Sequence, residues 1–309
     1  LLRAFFIGLS KNAGFRAFSE RSAVGGRVSR RFVAGTTVEQ AIAAAQELNT
    51  AGMSVSLDVL GESVMQVSQA EESAAIYHRL LDELAARKLT ANISLKLTQM
   101  GMDIGGSGAG PELAERIVSE IVEHAAAVRS FVRIDMEGSA YTEATIAMTE
   151  RLQALHPGSV GTVLQAYMFR TAGDVERLLG QKIRIRLCKG AYKEPATIAY
   201  PSKGDVDANY AALMKRCVSS GVFCGIATHD EKIVDEMRRF VMVAGLPKDV
   251  FEFQMLYGVR RDLQRKLVQD GFRVRVYVPF GEGWYPYFMR RLAERPANVL
   301  FLAKNFFRK

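Results

Sequence analysis

Lys96, Asp135 and Arg186 each stand in the later half of a short stretch in which aliphatic residues alternate with polar or charged ones. The stretches are Ile93-Ser94-Leu95-Lys96-Leu97, Val132-Arg133-Ile134-Asp135-Met136-Glu137 and Ile183-Arg184-Ile185-Arg186-Leu187. At a period of two, the aliphatic side chains cover one face of a strand and the charges the other. Extending the alternation puts Asp58, Lys96, Arg133, Asp135, Glu137, Gln165, Arg184, Arg186, Glu252, Gln254, Arg275 and Tyr277 on the charged side. Unpaired charges cost several kcal/mol each to bury, so cations and carboxylates in near balance must pair with one another. An anionic ligand at the open end would complete the pairing.

The elements that must position these groups alternate along the chain. Strands are expected near 55–60, 92–98, 131–137, 161–167, 182–189, 223–229, 251–257 and 274–279. Helices between them open at Thr36-x-x-Glu39, Ser68-x-x-Glu71, Pro111, Thr171-x-x-Asp174, Asp205 and Asp230, and Gly180, Gly221, Gly245 and Gly271 mark ends. Repeated strand–helix units over about 250 residues predict an α/β fold, a (β/α)8 barrel, better than an open doubly wound sheet. The expected organisation is one barrel domain over residues 1–309, with 1–50 as an N-terminal helical region.

In such a barrel the chemistry sits at the C-terminal ends of the strands. The candidates are Lys96, Asp135, Gln165, Arg186 to Tyr192, Thr228, His229, Gln254 to Tyr257, and Tyr277. Arg133, Arg184 and Glu252, lower down, read as a salt-bridged plug. Lys189-Gly190-Ala191 sets a cation before a flexible backbone and would let amides approach a phosphate. The GxGxxG fingerprint and the P-loop are absent; the glycine-rich tract 105–110 has neither spacing and reads as a mobile loop. On the final helix, Arg290, Arg291 and Glu294 share a face, either as a solvated ion pair or as guanidinium groups that clamp a carboxylate.

Cys188, Cys217 and Cys224 are an odd number without a CxxC pair, and the four histidines form no cluster, so neither a disulfide framework nor a metal site is expected. The formal charge of +8 is concentrated at the ends. Residues 1–31 carry seven basic residues against Glu20 alone, and the tail mixes Arg295, Lys304, Arg308 and Lys309 with Leu300, Phe301, Leu302, Phe306 and Phe307. Both ends suit contact with an anionic surface or packing on the barrel. No apolar run approaches a membrane span or a signal peptide. The chain does not open on Met, which leaves a leader upstream open.

In order and spacing, Ser94-Leu95-Lys96-Leu97, Arg133-Ile134-Asp135, Arg186-Leu187-Cys188-Lys189-Gly190-Ala191-Tyr192, Ala227-Thr228-His229-Asp230, Phe253-Gln254-Met255-Leu256-Tyr257-Gly258, Tyr277-Val278-Pro279-Phe280-Gly281 and Arg290-Arg291-Leu292-Ala293-Glu294 resemble the proline dehydrogenase family. The resemblance is to its monofunctional bacterial form, and no aldehyde dehydrogenase domain is expected to follow, unlike the bifunctional proline-utilisation proteins. It implies a distorted (β/α)8 barrel with FAD at the mouth and the last helix covering the site.

By the same resemblance, Lys96, Arg290 and Arg291 would hold the proline carboxylate, with Leu256 and Tyr277 against the ring. Arg186 would lie against the flavin, and Asp135 would set the electrostatics of the pocket. Met136, Gln165, Lys189, Gly190, Ala191, Thr228, His229 and Glu294 would hold FAD or orient a substrate arginine. The implied chemistry is hydride transfer from proline C5 to flavin N5, with electrons passed to a membrane quinone. The implied setting is cytoplasmic, peripheral on the inner face of the membrane, with no nucleic-acid partner. The base for the proline nitrogen is left between water and Asp135. A Schiff-base aldolase, using Lys96 or Lys189 at a strand end, is the competing enzyme class.

Overall fold

A computed structural model describes residues 31–61, 63–105 and 109–294, the last five by backbone alone. Eight strands pair in chain order, every pair parallel, and β8 closes on β1. They are β1 (Ser54–Val59), β2 (Ala91–Leu95), β3 (Val132–Ile134), β4 (Val160–Gln165), β5 (Arg184–Cys188), β6 (Cys224–Ala227), β7 (Phe251–Leu256) and β8 (Val274–Phe280). Around them lie α1 (Val38–Thr50), α2 (Val67–Ala86), α3 (Ala109–Ala127), α4 (Thr142–Leu155), α5 (Thr171–Gly180), α6 (Lys203–Val218), α7 (Glu231–Val243), α8 (Arg261–Gln269) and α9 (Trp284–Glu294). The closed parallel barrel expected from the alternation is therefore the fold.

The outward residues of the strands, among them Val55, Leu57, Ile93, Leu95, Val132, Ile134, Ile185, Leu187, Phe253 and Val276, are fully buried against the helices. They form one continuous core with the apolar faces of the helices, such as Leu80 and Leu81 of α2 and Ile117 and Ile121 of α3. Phe32 and Val33 pack instead with Trp284, Tyr285 and Phe288, joining the start of the described chain to α9.

Several local expectations are corrected. The α1 capping box uses Thr37 and Gln40 rather than Thr36 and Glu39, and α2 uses Gln66 and Gln69 rather than Ser68 and Glu71. Either glutamine does the work of a glutamate, because only a side-chain oxygen is needed to accept from the cap backbone. Thr171 does not cap α5; its hydroxyl donates to the Gln165 carbonyl at 2.5 Å, and Asp174 pairs with Arg170. Ser202, not Asp205, caps α6, whereas Asp230 caps α7 as expected. β3 ends at Ile134, so Asp135 to Glu137 lie beyond it, and Glu137 accepts from the backbone N–H and hydroxyl of Thr98 at 3.1 and 2.7 Å. Of the glycine-rich tract, residues 106–108 lie outside the described residues.

Candidate active site

The lumen is built from the inward residues of the strands, and its polar groups form one connected column. At its upper end the Asp135 carboxylate accepts from Arg186 Nη1 through Oδ1 at 2.8 Å and from the Tyr277 hydroxyl through Oδ2 at 2.8 Å. Lys96 Nζ lies 3.9 Å from the same Oδ2 and donates to Asp58 Oδ1 at 2.9 Å. Arg186 Nη2 donates to Ser56 Oγ at 3.2 Å, and its guanidinium stands 5.2 Å from the centre of the Tyr277 ring. The structure thus brings together Lys96 and Asp135, just past β2 and β3, and Arg186 and Tyr277, within β5 and β8, from parts of the chain far apart in sequence.

Burial alone would push the Lys96 ammonium down, but Asp58 and Asp135 outweigh it and hold Lys96 above the ordinary lysine range. Burial raises Asp58 while Lys96 pulls it back. Burial, reinforced by Asp135, also raises the Tyr277 phenol, so it stays a neutral donor. A Schiff-base nucleophile needs a neutral amine, which this setting withholds from Lys96. Cys188 is pushed up to about 12 by burial and is no nucleophile.

Below this cluster the plug differs from the expected one. Glu252 pairs with Arg275 at 2.6 Å, but Arg133 donates to the carbonyls of Thr162 and Arg184 at 2.8 and 2.5 Å instead of to a carboxylate. Its Nε is buried without a hydrogen-bond partner. Burial, with Arg186 nearby, draws Arg133 down to about 9, which leaves it charged at neutral pH. The Arg184 side chain is not in the lumen: it is exposed at the base of β5, over Phe131 and Phe223. It stands at the first residue of the strand, where the lumen opens to solvent.

Of the residues expected to hold FAD, those from Met136 to His229 lie at or just past the C-terminal ends of β3, β4, β5 and β6. Gln165 donates to the carbonyls of Met136 and Glu137 at 3.3 and 2.9 Å, while its buried Oε1 has no hydrogen-bond partner. Gly190 adopts φ +116°, and a Cβ there would come within 2.2 Å of the Tyr167 ring. Glycine is therefore required where the backbone leaves β5. Thr228 is buried and accepts from the Asp230 N–H at 3.1 Å; His229 Nε2 accepts from the Leu256 N–H at 2.9 Å, which joins the ends of β6 and β7. Lys189 departs from a bare phosphate cation: it is paired with Asp207 at 2.5 Å and Asp230 at 3.0 Å. The buried Gln165 oxygen without a partner fits a polar cofactor that would donate to it, whereas Gly190 makes room for the Tyr167 ring and Lys189 is already paired with two carboxylates. Among the described residues no group of metal ligands occurs.

Leu256 is half-buried at the end of β7. Arg290, Arg291 and Glu294 fall on the backbone of α9, and their side chains lie outside the described residues. Three contributions escaped the sequence. Ser56 and Ser94 share a hydrogen bond at 3.1 Å within the lumen, Asp207 restrains Lys189, and Glu194 binds the Ser139 N–H and hydroxyl, both at 2.7 Å. The first was readable from the alternation of β1 and β2; the other two join distant loops and leave no local signal.

Comparison with known proteins gives relatives of the sequence and of the fold. Residues 41–304 match the profile of the proline dehydrogenase family. The chain is 41% identical over 280 residues to a proline dehydrogenase of Deinococcus radiodurans, covering 90% of this chain and 89% of that protein. It is 38% identical over 310 residues to proline dehydrogenase 1 of Bacillus subtilis, with both chains covered in full. In three dimensions it is similar to proline utilization A from Bdellovibrio bacteriovorus, inactivated by N-propargylglycine, at a TM-score of 0.81 and 22% identity; the match covers 99% of this chain and 38% of that one.

Proposed function

The chain belongs to the proline dehydrogenase family, and from that premise we propose that it oxidises L-proline to pyrroline-5-carboxylate with FAD and passes the electrons to a membrane quinone. The observation that carries this reading is the cluster in which Asp135 holds Arg186 and Tyr277, with Lys96 kept protonated beside it.

In this reading, Lys96, just past β2, binds the proline carboxylate together with Arg290 and Arg291, since guanidinium groups suit a carboxylate. Leu256 and the Tyr277 ring pack against the pyrrolidine and fix which carbon faces the cofactor. When bound at this mouth, FAD would supply the hydride-accepting chemistry for the carbon next to the proline nitrogen. The Arg186 guanidinium favours negative charge as it develops beside it, and Asp135 keeps that guanidinium in place. The ring nitrogen must lose its proton, either to water or to Asp135. Met136, Gln165, Lys189, Gly190, Ala191, Thr228, His229 and Glu294 hold the cofactor, and Glu294 also orients a substrate arginine.

No helix among the described residues is long and apolar enough to cross a membrane. Access to the quinone would then come from peripheral contact at the inner face, through the basic segment 1–31, which with the exception of Arg31 lies outside the described residues. Incubation of the FAD-loaded protein with L-proline and a soluble quinone tests the reading. Pyrroline-5-carboxylate is the expected product, and its absence overturns the assignment.

A further inference from the structure

Arg186 is held from below as well as from Asp135. Its Nε donates to Gln254 Oε1 at 2.5 Å, and Gln254 Nε2 in turn donates to Glu252 Oε1 at 2.6 Å. Glu252 also accepts from Arg275 Nε at 2.6 Å, and Arg275 Nη1 donates to the Val55 carbonyl at 2.6 Å. Gln254 and Glu252 are both almost fully buried.

This order fixes which way the amide of Gln254 points. Turned over, it would set an NH2 group against the guanidinium and an oxygen against the carboxylate, and both hydrogen bonds would be lost. Room for the amide comes from β6, where a Cβ on Gly225 would lie 2.2 Å from Gln254 Nε2.

We propose that Gln254, oriented by Glu252, is a positioning residue that fixes the direction of the Arg186 guanidinium toward the cofactor. The proposal rests on the flavin reading of the site given above. Asp135 holds one terminal nitrogen of the guanidinium and Ser56 the other, the latter through a longer bond at 3.2 Å. The bond to Nε is the third restraint, and three such points fix the plane of the group. An arginine so held keeps its charge at one place near the flavin, where it favours the reduced, negatively charged form.

Two variants test this. Gln254→Met removes the acceptor at similar volume, and Gly225→Ala keeps every polar group but displaces the amide. Loaded with FAD, each is expected to show a lower flavin midpoint potential and a kcat about tenfold down, with the KM for proline within about twofold of the parent. In flavin-free protein, the Arg186 Nε–H followed by 15N NMR is expected to resist solvent exchange in the parent and to lose that protection in both variants. An unchanged potential and kcat in FAD-loaded Gln254→Met overturn the proposal and leave proline oxidation standing. If the parent fails to oxidise proline, the functional reading falls, and the Nε–H measurement still decides the positioning: equal protection in parent and Gln254→Met overturns it.

Discussion

The Asp135 carboxylate binds Arg186 at 2.8 Å across the barrel mouth, from the residue just past β3 to the middle of β5. The pair is about one-tenth exposed at each side chain, so it is shielded from bulk water without being sealed from it. Its second oxygen is taken by Tyr277, so Asp135 joins the guanidinium proposed to face the cofactor to the ring proposed to face the substrate.

Asp135→Asn should therefore disturb both sides at once. We expect kcat/KM for proline to fall by about two orders of magnitude, near 3 kcal/mol. The pH profile of turnover separates its two candidate roles. If Asp135 takes the proton from the ring nitrogen, the pH dependence of turnover changes in the variant; a residual activity with the parent's profile would remove Asp135 from that role.

Lys96→Met should destabilise the fold as well as abolish proline binding. Asp58 is about 1% exposed and Lys96 is its charged partner, so breaking the pair is expected to lower stability by about 3 kcal/mol in urea unfolding. The double variant Asp58→Asn with Lys96→Met should recover most of that loss and none of the activity. A double variant as unstable as the single one would show that the pair is not what the fold depends on here.

Tyr277 should set the preference for proline over hydroxyproline. Its phenol is anchored by Asp135, and its ring is held under Arg186. A fixed ring crowds a hydroxyl on C4, so Tyr277→Ser should narrow the ratio of kcat/KM between the two substrates by at least about tenfold. An unchanged ratio would place the ring away from C4.

Far from the site, His78 on α2 and His124 on α3 meet through their Nδ1 atoms at 2.8 Å, and His124 Nε2 lies 2.9 Å from Asp82. Burial, then His124, lowers the pKa of His78, against the opposing pull of Glu120 and Asp82. The unfolded chain then binds this proton before the folded one, so stability is intact above about pH 6.5 and falls as the pH drops through the folded value. The melting temperature should decline below about pH 6.5, and His78→Gln should flatten that decline. An identical slope in the variant would clear the pair of any part in it.

The barrel was legible because the alternation of Ile93, Leu95 and Leu97 with Ser94 and Lys96 is local and repeats from strand to strand. Lys96, Asp135 and Arg186 were legible for the same reason, each falling on the inward phase, Lys96 and Asp135 just past a strand end and Arg186 in the middle of β5. Arg184 has the same phase but was misplaced, since phase does not tell where a strand starts, and its first residue points past the rim of the lumen. The caps were missed by one to three residues because threonine, serine and glutamine neighbours offer equivalent caps. The pairing of Lys189 with Asp207 and Asp230, and of Glu194 with Ser139, depends on how loops pass one another over the mouth, and nothing in the local pattern encodes it.

The central claim is that this charged mouth couples proline to a bound flavin. The most direct test is the visible absorption spectrum of FAD-loaded protein titrated with L-proline in the absence of oxygen. The flavin band is expected to bleach at the first additions, and to bleach far less in Asp135→Asn at the same proline concentration. A protein that takes up no FAD, or one whose flavin band stays unchanged at saturating proline, would contradict the account.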